Sequence, residues 1–173
     1  MNAGRTGSAT QPALPRGSGD SAEIVLRAMR WQDIPTLAQL DTDLFEDDAW
    51  SESTWWSELA GRPRRAYTVI ESAGTILGYA GLDLGGEVAD VMTVAVDPGS
   101  QGQGYGQALL AWMTATAQES GARYLMLEVR ADNVVAIGLY GTAGFTRLSV
   151  RRRYYQPGDV DAYIMRKELC DDV

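Results

Sequence analysis

The sequence predicts an α+β domain built on one mixed sheet, and three observations lead there. The chain has 173 residues with ordinary apolar and charged fractions, enough for one domain with a sizeable core. Apolar residues switch between a period of two and a period of about 3.6 in the order β-α-α-β-β-β-α-β-α-β-β. A β-branched run, Val94 to Val96, stops at Asp97-Pro98, and a glycine-dense loop then opens directly into a helical pattern.

Residues 1–22 are rich in Gly, Ser, Ala, Thr and Pro and read as a disordered tail, so the domain is expected over 23–169, with 170–173 as a short C-terminal tail. Ile24-Val25-Leu26-Arg27 is the first strand. Trp31, Ile34, Leu37, Ala38 and Leu40 mark a helix, with Pro35 tolerated in its first turn. An acidic segment, Asp41 to Asp48, is expected to connect it to a second helix that starts near Ser51 and ends at Gly61 and Pro63. Three strands follow: Tyr67 to Ser72, Thr75 to Leu84 after the Ala73-Gly74 turn, and Val88 to Val96 after Gly85-Gly86. Gly104 to Ser120 reads as a long helix closed by Gly121. Tyr124 to Val129 is a buried-looking strand, and Val134 to Ala143 is a helix closed by Gly144. Thr146 to Tyr155 and Ala162 to Glu168 are the last strands. These patterns give about four helices around the sheet.

Composition removes several chemistries. There is no histidine, which excludes Ser-His-Asp and Cys-His catalysis and every histidine metal site; no metal is expected. Any general base must be a carboxylate, a tyrosine, a backbone terminus or water. Cys170 is the only cysteine and reads as an inert tail residue, which suits a reducing cytoplasm. No apolar run reaches the length of a membrane span and no secretory segment is evident, so a cytoplasmic protein without membrane contact is expected. A net charge of −8 opposes nucleic-acid binding and attracts cationic substrates.

The loop Gly102-Gln103-Gly104-Tyr105-Gly106 places glycines at every second position ahead of a helix. Such a turn is either a plain connection or a site where unpaired N–H groups and the helix dipole bind a phosphate. It lacks the Lys-Ser/Thr pair of a triphosphate loop, since Lys167 is the only lysine, and its third glycine comes one residue early for a dinucleotide fingerprint. Gln101-x-x-Gly104-x-Gly106 instead matches the signature of the GNAT acetyltransferases, and the element order is theirs. Leu127-Glu128-Val129-Arg130, Asn133, Ala136-Ile137, Leu139-Tyr140 and Gly144-Phe145, followed by Arg151 to Tyr155 and Asp161 to Met165, resemble the RimI-type ribosomal-protein-alanine N-acetyltransferases. The resemblance covers about residues 23 to 168.

That resemblance implies a GNAT fold with a mostly antiparallel sheet, acetyl-CoA as cosubstrate, and transfer to the free α-amine of a peptide or protein, a ribosomal protein in that family. It further implies that Val94, Ala95 and Val96 hydrogen-bond the pantetheine arm through their main chain. Gln101, Gly102, Gln103, Gly104, Tyr105, Gly106 and Gln107 would hold the pyrophosphate, and Asn133 would contact the cofactor. Glu128 would be the proton acceptor and Tyr140 the proton donor. The rival readings are a GNAT acting on a small amine, such as an aminoglycoside or polyamine, and a non-catalytic acetyl-CoA-binding module.

The residues admit these roles without the family. An α-amine with a pKa of ~8 costs about 1.4 kcal/mol to deprotonate at pH 7, against nearly 5 for lysine, so a modest carboxylate base suffices. Glu128 interrupts an apolar strand, where a charge is either used or paired; the pairing expected is with Arg130 on the same strand face. Tyr140 is either a phenolic acid or a core tyrosine. Asn133 can cap its helix, contact the cofactor, or both. The acidic run Asp41, Asp43, Glu46, Asp47 and Asp48 either attracts a cationic N-terminus or forms a solvated loop with caps. Trp50, Trp55 and Trp56 can wall a peptide groove, although Trp55 and Trp56 cannot both face one core. Tyr154 and Tyr155 are expected on opposite faces of a strand, one at the peptide entrance and one in the core. Arg151 to Arg153 reads as a solvated strand end.

Overall fold

The computed structural model describes residues 23–45 and 48–169, so the readings for 1–22, Glu46, Asp47 and 170–173, Cys170 included, lie outside the described residues. Strand β1 (Ile24–Ala28) is followed by a 3-10 turn at Trp31–Asp33 that runs into α1 (Ile34–Phe45) and then α2 (Glu52–Ala60). Next come β2 (Arg65–Ser72), β3 (Thr75–Leu84) and β4 (Val88–Val96), then α3 (Tyr105–Glu119) and β5 (Tyr124–Arg130). The last described elements are α4 (Val134–Thr142), β6 (Thr146–Tyr155) and β7 (Val160–Glu168). The seven strands form one sheet in the order β1-β2-β3-β4-β5-β7-β6. Every neighbouring pair is antiparallel except β4 with β5. No helix among the described residues is long and apolar enough to cross a membrane.

Both faces of the sheet are covered. Val69, Tyr67 and Tyr79 pack with Ile34, Leu37 and Trp55 of α1 and α2, whereas Ile70, Ala80 and Leu82 pack with Leu109 and Met113 of α3. With both faces covered, Tyr67 to Ile70 are buried as a continuous run, not as the alternation expected of Tyr67 to Ser72. Gly81 is required by that packing, because a Cβ there would sit 2.0 Å from Cε1 of the Tyr67 ring.

Helix ends follow their capping residues. Ser51 accepts a hydrogen bond from the Thr54 N–H at 3.3 Å, and Asn133 accepts one from the Ala136 N–H at 3.0 Å. The first helix departs from expectation. Residues 41–45 continue α1 instead of forming a connector, and Asp41 is buried rather than solvated. Asp41 occupies the inward position one turn after Leu37, so the 3.6 period continues through it with a carboxylate in place of an apolar residue. Its oxygens accept hydrogen bonds from the Trp50 N–H at 2.6 Å and from the Tyr79 hydroxyl, which satisfies the buried group. Burial raises the Asp41 carboxyl above the usual range despite those bonds.

Candidate active site

The parallel pairing of β4 and β5 covers only Val88–Asp90 against Tyr124–Met126. Beyond Asp90 the two strands part. At the same point the β3–β4 register slips between Gly81 and Leu82, so that Thr93 faces Gly81, Val91 faces Leu82 and Met92 is the extra residue of a bulge. Val94, Ala95 and Val96 therefore lie on a strand that is paired with β3 on one side and open on the other. Their peptide groups on the open side have no sheet partner, which in a folded chain marks a place for a ligand or water.

The glycine loop follows this open edge. Gly102 and Gly104 hold φ values of +75° and +87°, a region that disfavours side chains. Gln101 turns back, its Nε2 donating to the Val96 carbonyl at 3.2 Å. The first helical bond of α3 runs from the Ala108 N–H to the Gly104 carbonyl at 3.1 Å. The N–H groups of Tyr105, Gly106 and Gln107 therefore have no helical partner and lie at the positive end of the helix dipole. The Tyr105 ring is buried in the core, so only its main chain is available here. A Cβ at Gly106 would stand 3.0 Å from Leu139 Cδ2, and this close contact sets the start of α3 against α4. Gln103 and Gln107 are exposed on the loop's outer side.

A cavity of about 1100 Å³ opens at the fork and brings together Glu128, Asn133, Tyr140, Trp50, Tyr154 and Tyr155, with Val94 on its wall. Ala95, Val96 and Gln101–Gln107 are not among its lining residues; they form the shallower approach to it. Five carboxylates (Asp41, Asp48, Asp83, Asp90 and Glu128) line the cavity against three arginines (Arg65, Arg130 and Arg151), which favours a cationic occupant.

Glu128 is paired, but not with Arg130. Its Oε1 lies 2.6 Å from Nη1 of Arg151, which reaches over from β6. Arg130 sits at the end of β5 beside the turn and takes Asp132 instead, at 3.1 and 2.9 Å, while its guanidinium lies 5.2 Å from the Tyr155 ring. The three arginines at the end of β6 are thus not simply a solvated end: Arg151 engages Glu128 and stacks on Tyr154, and Arg152 pairs with Asp161 at 2.9 Å.

Tyr140 is 7% exposed, and its hydroxyl has no hydrogen-bond partner among the described residues. Burial, with a smaller contribution from Tyr155, pushes its phenol up to about 12. Its ring packs in the core cluster against Phe145, while the residue also lines the cavity. Asn133 uses its Oδ1 to cap α4, and its amide nitrogen has no partner among the described residues.

The aromatic residues divide by position. Trp55 is fully buried and Trp56 is exposed, stacked on Trp31 at 6.4 Å. Of Trp50, Trp55 and Trp56, Trp50 alone borders the cavity, its ring 5.1 Å from that of Trp55. Tyr154 and Tyr155 do not alternate across the sheet as expected. A bulge between Arg151 and Tyr155, with Arg153 at φ +51°, cancels the period of two. Both rings border the cavity, 5.1 Å apart and nearly perpendicular, and neither belongs to the core. Arg151 and Asp90 are among the cavity-lining residues that sequence reasoning passed over. Arg151 is hidden because its partner lies two strands away, across β7, and Asp90 because the place where β4 leaves β5 has no local signal.

The profile of the acetyltransferase (GNAT) family matches residues 28–145. The chain is 38% identical over 159 residues to the N-alpha-acetyltransferase RimI of Mycobacterium tuberculosis, covering 89% of this chain and 98% of that one. It is 36% identical over 118 residues to the ribosomal protein bS18-alanine N-acetyltransferase of Escherichia coli, covering 67% and 78%. The crystal structure of the Escherichia coli ribosomal-protein-S18-alanine N-acetyltransferase superposes with a TM-score of 0.79 at 29% identity, covering 87% of this chain and 97% of that one.

Proposed function

Because the chain belongs to the GNAT family and is an acetyl-CoA-dependent N-acetyltransferase of the RimI type, we propose that it acetylates the free α-amine of a protein or peptide, a ribosomal protein that begins with alanine above all. The observation that carries this reading is the meeting of Glu128, Tyr140 and Asn133 in one acidic cavity where β4 and β5 separate.

In this reading the open edge of Val94 to Val96 aligns the pantetheine arm. The unpaired N–H groups from Gly102 to Gln107 hold the pyrophosphate, and Asn133 contacts the cofactor through its free amide nitrogen. Acetyl-CoA supplies the activated thioester. Glu128 takes a proton from the amine, directly or through water, as the N–C bond forms. Tyr140, protonated at neutral pH, gives its proton to the departing thiolate as the C–S bond breaks. No residue of the cavity is placed to act as a covalent nucleophile, so transfer is direct. Trp50, Tyr154 and Tyr155 flank the approach of the peptide.

The test is acetylation of synthetic peptides read by mass spectrometry. Peptides with a free, small first residue should be modified on the α-amine, and blocking that terminus should eliminate acetylation even when lysines follow. The acidic lining would also admit a polyamine. Lysine acetylation on the blocked peptide, or faster acetylation of a polyamine or aminoglycoside than of any free-terminus peptide, would overturn the assignment.

A further inference from the structure

Asp41 stands in the wall of the cavity yet is only 2% exposed, because both of its oxygens are turned to the protein. It shares the buried face of α1 with Ile34 and Leu37, where a leucine would carry no desolvation cost. The carboxylate does what a leucine could not: it joins three separate parts of the chain. One oxygen accepts from the Tyr79 hydroxyl on β3 and the other from the Trp50 N–H, 2.6 Å away in the connector between α1 and α2.

Trp50 lies outside every helix and strand, just before the Ser51 cap of α2, so no ladder holds its peptide. Its ring is 5.1 Å from Trp55 and 6.4 Å from Tyr67, contacts that bear on the ring and leave the main chain to Asp41. Phe45, at the other end of the same connector, also lines the cavity. Tyr79 stands opposite Ala95, on the strand that pairs with the open edge of β4, and its ring lies 5.4 Å from Trp55. Through Asp41, the aromatic wall of the cavity is therefore tied to the strand beside the cofactor approach.

We propose that Asp41 is a positioning residue for the amine substrate: its carboxylate fixes the Trp50 main chain, and Tyr79 keeps that carboxylate aimed. This rests on the proposed place of Trp50 beside the approach of the peptide. Asp41 itself takes no proton and touches no reacting atom. The wall stands ready before the substrate arrives, so the benefit falls on substrate binding and not on the chemical step.

The experiment measures kcat and KM for Asp41→Leu, Asp41→Asn, Tyr79→Phe and Trp50→Ala, and for the first and third again in the Trp50→Ala background. The amine is whichever one the wild type acetylates best, so its identity tests the substrate reading and the variant-to-wild-type ratios test Asp41. Asp41→Leu should raise the KM of the amine about tenfold, with kcat and the KM of acetyl-CoA within about twofold of wild type. Asn, which keeps an oxygen for the Trp50 N–H and an amide for the Tyr79 oxygen, should restore most of the loss. Tyr79→Phe should raise the amine KM about threefold. Neither change should add to the effect of Trp50→Ala, since both act through that residue. A Trp50→Ala variant with the wild-type KM would overturn the place of Trp50 in the wall. A raised KM in that variant, with Asp41→Leu within twofold of wild type or with effects that multiply in the double variant, would overturn the role of Asp41 alone. Should Asp41→Leu not fold, seen as loss of the thermal shift with acetyl-CoA, the Tyr79→Phe pair decides by the same two criteria.

Discussion

The proton work proposed for Glu128 and Tyr140 makes different demands, and their surroundings differ accordingly. Tyr140 is buried and unpartnered, with its phenol pushed up to about 12, so it is protonated throughout the neutral range and can only give a proton. Glu128 is partly exposed and ion-paired with a cation that a substrate ammonium can replace. Tyr140→Phe should lower kcat by about a hundredfold with acetyl-CoA affinity unchanged, measured by steady-state kinetics and calorimetry. Glu128→Gln should lose turnover at neutral pH and recover part of it at high pH. If the Gln variant instead unfolds while its folded fraction keeps full specific activity, the carboxylate serves only the ion pair with Arg151. The sequence offered these two residues as candidates through the resemblance, Glu128 also as a charge inside an apolar strand. The partner of Glu128 was not, because Arg151 is brought near by the order β5-β7-β6 and not by chain proximity.

At the scale of elements, the fork between β4 and β5 and the start of α3 form the proposed cofactor approach. The loop was readable because glycine spacing, a β-branched run and a helical pattern are local properties of the chain. Gly104 takes φ +87° as the N-cap of α3, so a β-branched residue there both strains the turn, by about 1–2 kcal/mol, and adds bulk where a pyrophosphate must approach. Gly104→Val should therefore abolish the thermal shift produced by acetyl-CoA; an unchanged shift would reduce the loop to a connection. The extent of α1 was not readable. Asp41 stands where the pattern calls for an apolar residue, and only the Tyr79 hydroxyl, from a distant strand, and the Trp50 N–H, from just beyond the helix, make an inward carboxylate tolerable.

Across the whole molecule, two apolar clusters clamp the sheet from its two faces, and charged networks close the seams between elements. The seam of β1, β2 and the turn before α1 is held by Arg27, which bonds Asp33 at 2.8 and 2.9 Å and also engages Glu71. Burial would push the Asp33 carboxyl up, but the Arg27 guanidinium and the Arg30 N–H outweigh it and hold Asp33 below the usual range. A carboxyl depressed in the folded state adds stability above its unfolded pKa and loses it as pH falls through the folded value. Stability measured by urea unfolding should thus decline on acidification below about pH 4. Asp33→Asn should lower stability at neutral pH by about 1–3 kcal/mol and flatten that acid decline. An unchanged slope would assign the acid sensitivity to other carboxylates.

The sequence by itself determined the element order, the position of the glycine loop, the start of α2 near Ser51, the capping option at Asn133, and the absence of histidine chemistry, because all of these depend on composition and on neighbours a few residues apart. Only the tertiary structure decided which groups meet. The parting of β4 from β5 after Asp90 opens the strand edge, and the bulge at Arg153 turns both Tyr154 and Tyr155 to one cavity. The strand order carries Arg151 across β7 to Glu128. Strand pairing, bulges and cross-sheet ion pairs join residues far apart in the chain, and their energies depend on packing that no local window contains.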